Sequence, residues 1–285
     1  MKKLFIILCV LFIGVSVSFA ALTGMDAHEK YVYPVVRVSA GGGTGSGTVV
    51  YSKDTTKEGE TSKGYSTYIL TNYHVIAAAI KITEEWDSKL QKNRDIERRS
   101  TCYVEIFKYK NLSTPVGTMK IEADIVLYSK TGDMALLKLR FDEKVNYVAT
   151  LPDRDNANFY RIMDESVASG CSLGHPTLVS VGVITRLNYQ VRSLPFDMSS
   201  AQIIFGNSGG AMFSGDGTFM GIPSMVAMAG WSSAVTHMGL FIPVSRIYEW
   251  METEYYDFIF DESLIDVDRL KEREEAIEAE KKADK

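Results

Sequence analysis

Short apolar or alternating runs recur between turn signals along most of the chain. A first series comprises Tyr31 to Ser39, Gly47 to Tyr51, Tyr65 to Thr71, Tyr103 to Phe107, Ile121 to Leu127 and Met134 to Leu139. A second comprises Ser166 to Gly170, Val179 to Ile184, Ala211 to Phe213, Phe219 to Ile222 and Gly239 to Pro243. Runs of this length and spacing predict an all-β sandwich or barrel. Two stretches interrupt the first series. Ser52 to Gly64 is polar, with Lys53, Asp54, Lys57, Glu58, Glu60 and Lys63, and reads as a mobile surface loop. Ile80 to Arg99 is richer in helix formers and charges; it predicts a short surface helix with Trp86 as anchor and a solvated charged face. After Pro243 the period changes. Ile247, Trp250, Met251 and Tyr255 recur near helical spacing within Val244 to Phe260, which predicts a helix. Asp266 to Lys285 is almost wholly charged and reads as a frayed or solvated helix.

The N-terminus departs from this pattern. Lys2 and Lys3 precede an apolar run from Leu4 to Val17, and Ser18-Phe19-Ala20 has the small-x-small form of a cleavage site, so residues 1–20 read as a signal peptide. An uncleaved anchor is the other reading, but the run is shorter than the roughly 20 residues a spanning helix needs. The expected product is secreted or periplasmic, with no membrane association after cleavage. Loss of Lys2 and Lys3 takes the formal net charge from −5 to −7. That argues against nucleic acid as a partner, which would want a basic face. Cys102 and Cys171 remain after cleavage; export permits a bond between them, and two buried thiols are the alternative. No metal-ligand spacing is present, since His28-Glu29 lacks the second histidine of a zinc helix, and no cofactor is implied.

Candidate chemistry begins at Gly206-Asn207-Ser208-Gly209-Gly210. Glycines permit a tight turn in which the N–H groups of Gly206 and Ser208 point at one spot, where a tetrahedral intermediate would carry its negative charge. A serine hydroxyl also needs a base. His74 follows the apolar strand Tyr68 to Thr71 and would stand at its end on a rigid scaffold. The base needs an orienting carboxylate. Asp133 opens the apolar run Met134 to Leu139, and a buried carboxylate requires hydrogen-bond partners. Taken singly, these are an ordinary turn, a structural histidine at a strand end and a turn-capping aspartate. Together, in the order His74, Asp133, Ser208, they form a nucleophile, base and orienting acid.

The segments Thr71-Asn72-Tyr73-His74-Val75, Gly132-Asp133-Met134-Ala135-Leu136-Leu137-Lys138-Leu139 and Gly206 to Gly210 resemble the active-site motifs of trypsin-like serine peptidases, closest to the HtrA/Deg branch. The resemblance runs from about Val35 to Trp250 and includes Gly45 to Val50 and Met238 to Pro243. It implies a chymotrypsin-like fold: all-β, two antiparallel six-stranded β-barrels with a C-terminal helix and the active site in the crevice between them. The corresponding division is an N-terminal barrel with loop insertions over 21–150, a C-terminal barrel over 151–250, and a helix with a charged tail over 251–285. By this likeness Cys102 lies in the first barrel and Cys171 in the second. HtrA-like proteins often trimerise, so a homo-oligomer is open. The segment after Pro243 is too short for the PDZ domain that HtrA-like proteins usually carry.

The resemblance also marks departures. Gln202 falls where a trypsin carries its specificity aspartate, so an Arg or Lys side chain would find no counter-charge. Gln202, Ile203, Met225, Val226 and Ala227 are expected to form an apolar substrate-binding pocket of moderate size, favouring cleavage after Val, Ala, Ile, Leu or Met. Asn207 stands where digestive relatives have an aspartate that pairs with a newly cut N-terminus, so no activating cut beyond signal removal is expected. Phe205 replaces a proline of the HtrA-like pattern, and Ser172 replaces the proline of its G-x-P-x-G loop. His175, in that loop, reads as structural. The function expected is an exported serine endopeptidase acting on protein or peptide substrates. A non-catalytic binding or chaperone-like protein on the same scaffold is the alternative. An esterase of the α/β-hydrolase type would place its histidine last, whereas His74 comes first.

Overall fold

The computed structural model describes residues 24–55, 64–88, 91–229 and 233–283. The expected signal peptide, and residues 56–63 of the expected loop from Ser52 to Gly64, lie outside the described residues. The chain enters through α1 (Gly24–Ala27) and a π-helical turn (His28–Val32). It continues through β1 (Val35–Ala40), β2 (Gly43–Asp54), β3 (Tyr65–Thr71), the one-turn α2 (Tyr73–Ile76), β4 (Ile80–Asp87), β5 (Lys92–Arg99), β6 (Cys102–Lys110), β7 (Thr114–Ser129) and β8 (Met134–Leu139). All of these strands except β4 and β5 close into an antiparallel barrel in the order β1-β2-β3-β8-β7-β6. A second barrel follows from β9 (Glu165–Gly170), β10 (Leu178–Val191), β11 (Leu194–Ser199), β12 (Ala211–Ser214), β13 (Phe219–Ala229) and β14 (Ser233–Pro243), in the order β10-β11-β14-β13-β12-β9. Helices α3 (Val244–Thr253) and α4 (Asp266–Ala283) complete the chain. The fold is all-β and chymotrypsin-like, and closure leaves few open strand edges.

The continuous apolar runs have a direct cause. Successive side chains of a strand point to opposite faces, and here both faces are buried. On β3, Ile69 points into the first barrel while Tyr68 and Leu70 join a cluster outside it; on β8, Ala135 and Leu137 point in while Met134 and Leu136 point out. The second barrel does the same: Met212 and Phe241 fill its interior, whereas Phe213 and Ile242 face outward. The outward sets meet each other and Val244, Ile247, Tyr248 and Met251 of α3, forming one core between the barrels.

Three expectations need correction or completion. Ile80 to Arg99 is not a helix: β4 and β5 pair antiparallel from Ile80↔Arg99 to Asp87↔Lys92. Ile80 and Ile82 alternate with Lys81 and Thr83, a strand period, and cross-strand pairs such as Arg98–Glu85 at 2.6 Å stabilise the ribbon. Trp86 anchors nothing, being 64% exposed; the hairpin is tied down by Arg99, which donates to Ile125 O at 2.8 Å and stacks over Tyr128. Strand β11 has no counterpart among the apolar runs, because Pro195 and Asp197 interrupt its pattern. The charged tail is helical, as expected of a solvated helix, but it is also docked. Arg269 makes two 2.7 Å bonds to Asp257, and Leu270 packs against the core.

Cys102 on β6 and Cys171 after β9 are both buried and unbonded. Burial pushes their thiols up to about 11 and about 12 respectively, which holds both in the unreactive thiol form at neutral pH.

Candidate active site

The buried strand β3 runs into Asn72, whose extended backbone (φ −84°, ψ 150°) turns the chain into α2. That turn sets His74 at the surface with its side chain 48% exposed. Asp133 lies in the β7–β8 turn with φ +56°, a left-handed conformation that aspartate tolerates better than most residues. Neighbours hold it there: Asn72 Nδ2 donates to Asp133 O at 2.8 Å, and Arg246 Nη2 donates to Gly132 O at 2.7 Å. The carboxylate lies 2.9 and 3.0 Å from His74 Nδ1. It also accepts from the His74 backbone N–H at 3.1 Å and from Ser224 Oγ at 2.6 Å. His74 and Asp133 are thus brought together, and Nε2 of His74 is left without a partner among the described residues.

Ser208 comes from the other barrel. Gly206 has φ +99°, and a Cβ there would sit 2.6 Å from Cys171 O and Leu173 N, so only glycine fits. Gly209, with φ +86°, would place a Cβ 2.1 Å from Ser46 O. Ser46 of β2 pins the loop to the first barrel. Its N–H donates to Ser208 O at 2.8 Å, and its Oγ donates to Gly206 O at 2.6 Å while accepting from Cys171 N at 2.7 Å. The N–H of Asn207 is bound to Ile204 O and that of Gly209 to Pro223 O. Those of Gly206 and Ser208 have no partner among the described residues. Ser208 Oγ makes a long 3.5 Å bond to Ser224 O rather than to His74. Asn207 is buried, and its side-chain carbonyl accepts from Ser172 Oγ. The serine that replaces the expected proline at 172 thereby supplies the donor for Asn207.

A cleft of about 760 Å³ opens beside His74 and Asp133, with Ser224, Met225, Val191, Leu194 and Phe196 among its walls. Of the five expected pocket residues, Met225 lines it. Ile203 does not: it is 3% exposed in the second-barrel core, where it fills the space a Gly239 side chain would take. Val226 is half-buried against that same core, Ala227 is half-buried on β13, and Gln202 is exposed, its carbonyl accepting from Ser180 Oγ. His175 and His237 are exposed, and His28 is bound to Gly24 O and Ser113 Oγ. Sequence reasoning did not single out Ser46, Ser224 or Arg246. The Gly45-Ser46-Gly47 triplet was the legible hint for the first; the other two act only through tertiary contacts.

Comparison with known proteins bears on the family and the fold. The family model described as "Trypsin-like peptidase domain" matches residues 45–222. The magnetosome formation protease MamE of Magnetospirillum gryphiswaldense is 27% identical over 164 residues, which are 56% of this chain and 17% of that protein. The serine protease Do-like HtrA of Lactococcus lactis subsp. cremoris is 26% identical over 253 residues, 83% of this chain and 51% of that protein. The chain therefore spans about half or less of the length of these relatives. Among solved structures, the HtrA-type protease AlgW with tripeptide superposes with a TM-score of 0.57 at 20% identity, covering 82% of this chain and 63% of that one, a likeness of fold. With the matched segment covering more than half of the sequence, the chain belongs to the trypsin-like peptidase family.

Proposed function

We propose that this protein is an exported serine endopeptidase that cleaves peptide bonds by acyl transfer. Ser208 attacks the carbonyl carbon, His74 takes the hydroxyl proton and returns it to the departing amine, and Asp133 holds the imidazole and stabilises its cation. The amides of Gly206 and Ser208 donate hydrogen bonds to the oxyanion. The observation that carries this reading is the Asp133 carboxylate at 2.9 Å from His74 Nδ1, together with a nucleophile loop in which the amides of Gly206 and Ser208 have no partner among the described residues. Ser208 Oγ has to leave Ser224 O for His74 before it can attack; long catalytic hydrogen bonds are common in substrate-free enzymes.

Cleavage is expected after Val, Ala, Ile, Leu or Met. Met225 supports an apolar wall, with Val191, Leu194 and Phe196 beside it. The Asn207–Ser172 bond supports activity without a further N-terminal cut, because the residue before the nucleophile is already held. Residues 1–20 support export to a secreted or periplasmic location. Fluorophosphonate labelling of purified protein is expected to modify Ser208, and Ser208→Ala to abolish both labelling and turnover while leaving the circular dichroism spectrum unchanged. A protein that binds peptides but never labels would be the non-catalytic alternative. A peptide library dominated by cuts after Arg or Lys would overturn the specificity.

A further inference from the structure

A second depression of about 480 Å³ adjoins the nucleophile loop and shares no lining residue with the cleft beside His74. Its walls include Phe205, Gly206, Leu173, Thr44 and Arg37. Gly206 ties it to the chemistry, because its amide, without a partner among the described residues, marks where a scissile carbonyl oxygen would sit. The acyl part of a substrate would lie along Ser224 and Met225, so the leaving-group part passes over Gly206 into this depression.

Two exposed apolar side chains dominate the depression. Phe205 and Leu173 are 75% and 68% exposed, among the most exposed large apolar side chains described. Their backbones are linked, Leu173 N donating to Phe205 O at 2.8 Å, and Leu173 is held in a left-handed conformation (φ +53°) that leucine rarely adopts. The charges at the base are already satisfied: Arg37 donates to Glu105 and to Gly174 O. An ion pair so engaged attracts neither sign of charge strongly, whereas two apolar walls gain from covering an apolar side chain.

We propose that Phe205 and Leu173 form a subsite that selects substrates with a large apolar residue on the leaving-group side of the scissile bond. This rests on the acyl-transfer reading above. The same subsite would bind an amine that enters to resolve the acyl-enzyme. In that step a C–N bond forms as the ester C–O bond to Ser208 Oγ breaks, and the amine proton passes through His74 to Ser208 Oγ.

The test uses a peptide p-nitrophenyl ester, which brings no residue to this side, and compares capture of the acyl group by leucinamide, phenylalaninamide, glycinamide, aspartamide and lysinamide. Leucinamide and phenylalaninamide are expected to be captured about 10- to 100-fold more efficiently than glycinamide. The leucinamide-to-glycinamide ratio is expected to fall severalfold in Phe205→Ser and in Leu173→Asn, the latter chosen because asparagine tolerates the left-handed backbone. Using a ratio within each variant removes any general loss of activity. Equal capture of all amides, preference for aspartamide or lysinamide, or a ratio unchanged in both variants would overturn the subsite alone. Absence of ester turnover and of Ser208 labelling would overturn the acyl-transfer reading, and the subsite with it.

Discussion

At the scale of single residues, Asp133 is the most constrained group in the site. Its carboxylate takes hydrogen bonds from His74 Nδ1, His74 N–H and Ser224 Oγ, which leaves little freedom to the imidazole. Ser224→Ala removes the 2.6 Å bond and should lower kcat/KM roughly tenfold, equivalent to ~1.4 kcal/mol, with little change in melting temperature. Steady-state kinetics alongside thermal unfolding would separate the two effects. Asp197 offers a different test. It is buried on β11, accepting from Tyr160 OH and Asn188 N–H at 2.7 Å each. Burial raises its pKa more than those bonds lower it. The native state therefore binds this proton more tightly than the unfolded chain does. Its contribution to stability is greatest in acid and declines as pH rises from the ordinary carboxylate range through the raised native value. Asp197→Asn has no such proton, so its melting temperature relative to the parent protein should rise between pH 4 and pH 7. A constant or falling difference would show the sign to be wrong.

Among the elements, the β4–β5 hairpin and the loop around Ser208 obey opposite rules. The hairpin stands outside both barrels and depends on a few polar tethers. Arg99→Ala would remove its bond to Ile125 O and its stacking on Tyr128, 5.1 Å from the ring centre. A loss of about 1 kcal/mol is expected, with faster hydrogen exchange confined to residues 80–99. The nucleophile loop has no such tolerance. Gly209→Ala would combine a left-handed alanine with a Cβ only 2.1 Å from Ser46 O, destabilising by about 3 kcal/mol or more in denaturant unfolding. The difference also explains why sequence reading succeeded for one and failed for the other. Glycines at 206 and 209 announce a special backbone whatever surrounds them. The hairpin's charges look the same on an exposed helix as on an exposed ribbon, and the short alternation at Ile80 and Ile82 is outnumbered by the charged residues that follow it.

For the molecule as a whole, the site exists only while the two barrels stay in register. Ser46 carries the register on one side, and Arg246 on the other. Arg246, on α3, is buried against Phe196 and donates to Pro195 O in the second barrel and to Gly132 O in the first. Burial lowers its pKa, opposed by the negative charges of Asp133 and Glu249. Arg246→Met keeps the apolar stem but leaves both carbonyls without this donor, so a loss of about 2–4 kcal/mol is expected. Because Gly132 precedes Asp133, kcat should fall as well, even at temperatures where the variant is fully folded.

The amino-acid sequence by itself determined the all-β class and most of the barrel strands, and it singled out His74, Asp133 and Ser208 as candidates. Strand period, turn glycines and motif spacing are local properties that survive without neighbours. Only the tertiary structure decided that Ser224 reaches Asp133, that Ile203 belongs to the core rather than to a pocket, and that Arg246 and Ser46 join the barrels. Each of these contacts links residues far apart in the chain, and a hydrogen bond or a buried methyl group leaves no trace in local patterning until folding has chosen which distant surfaces meet.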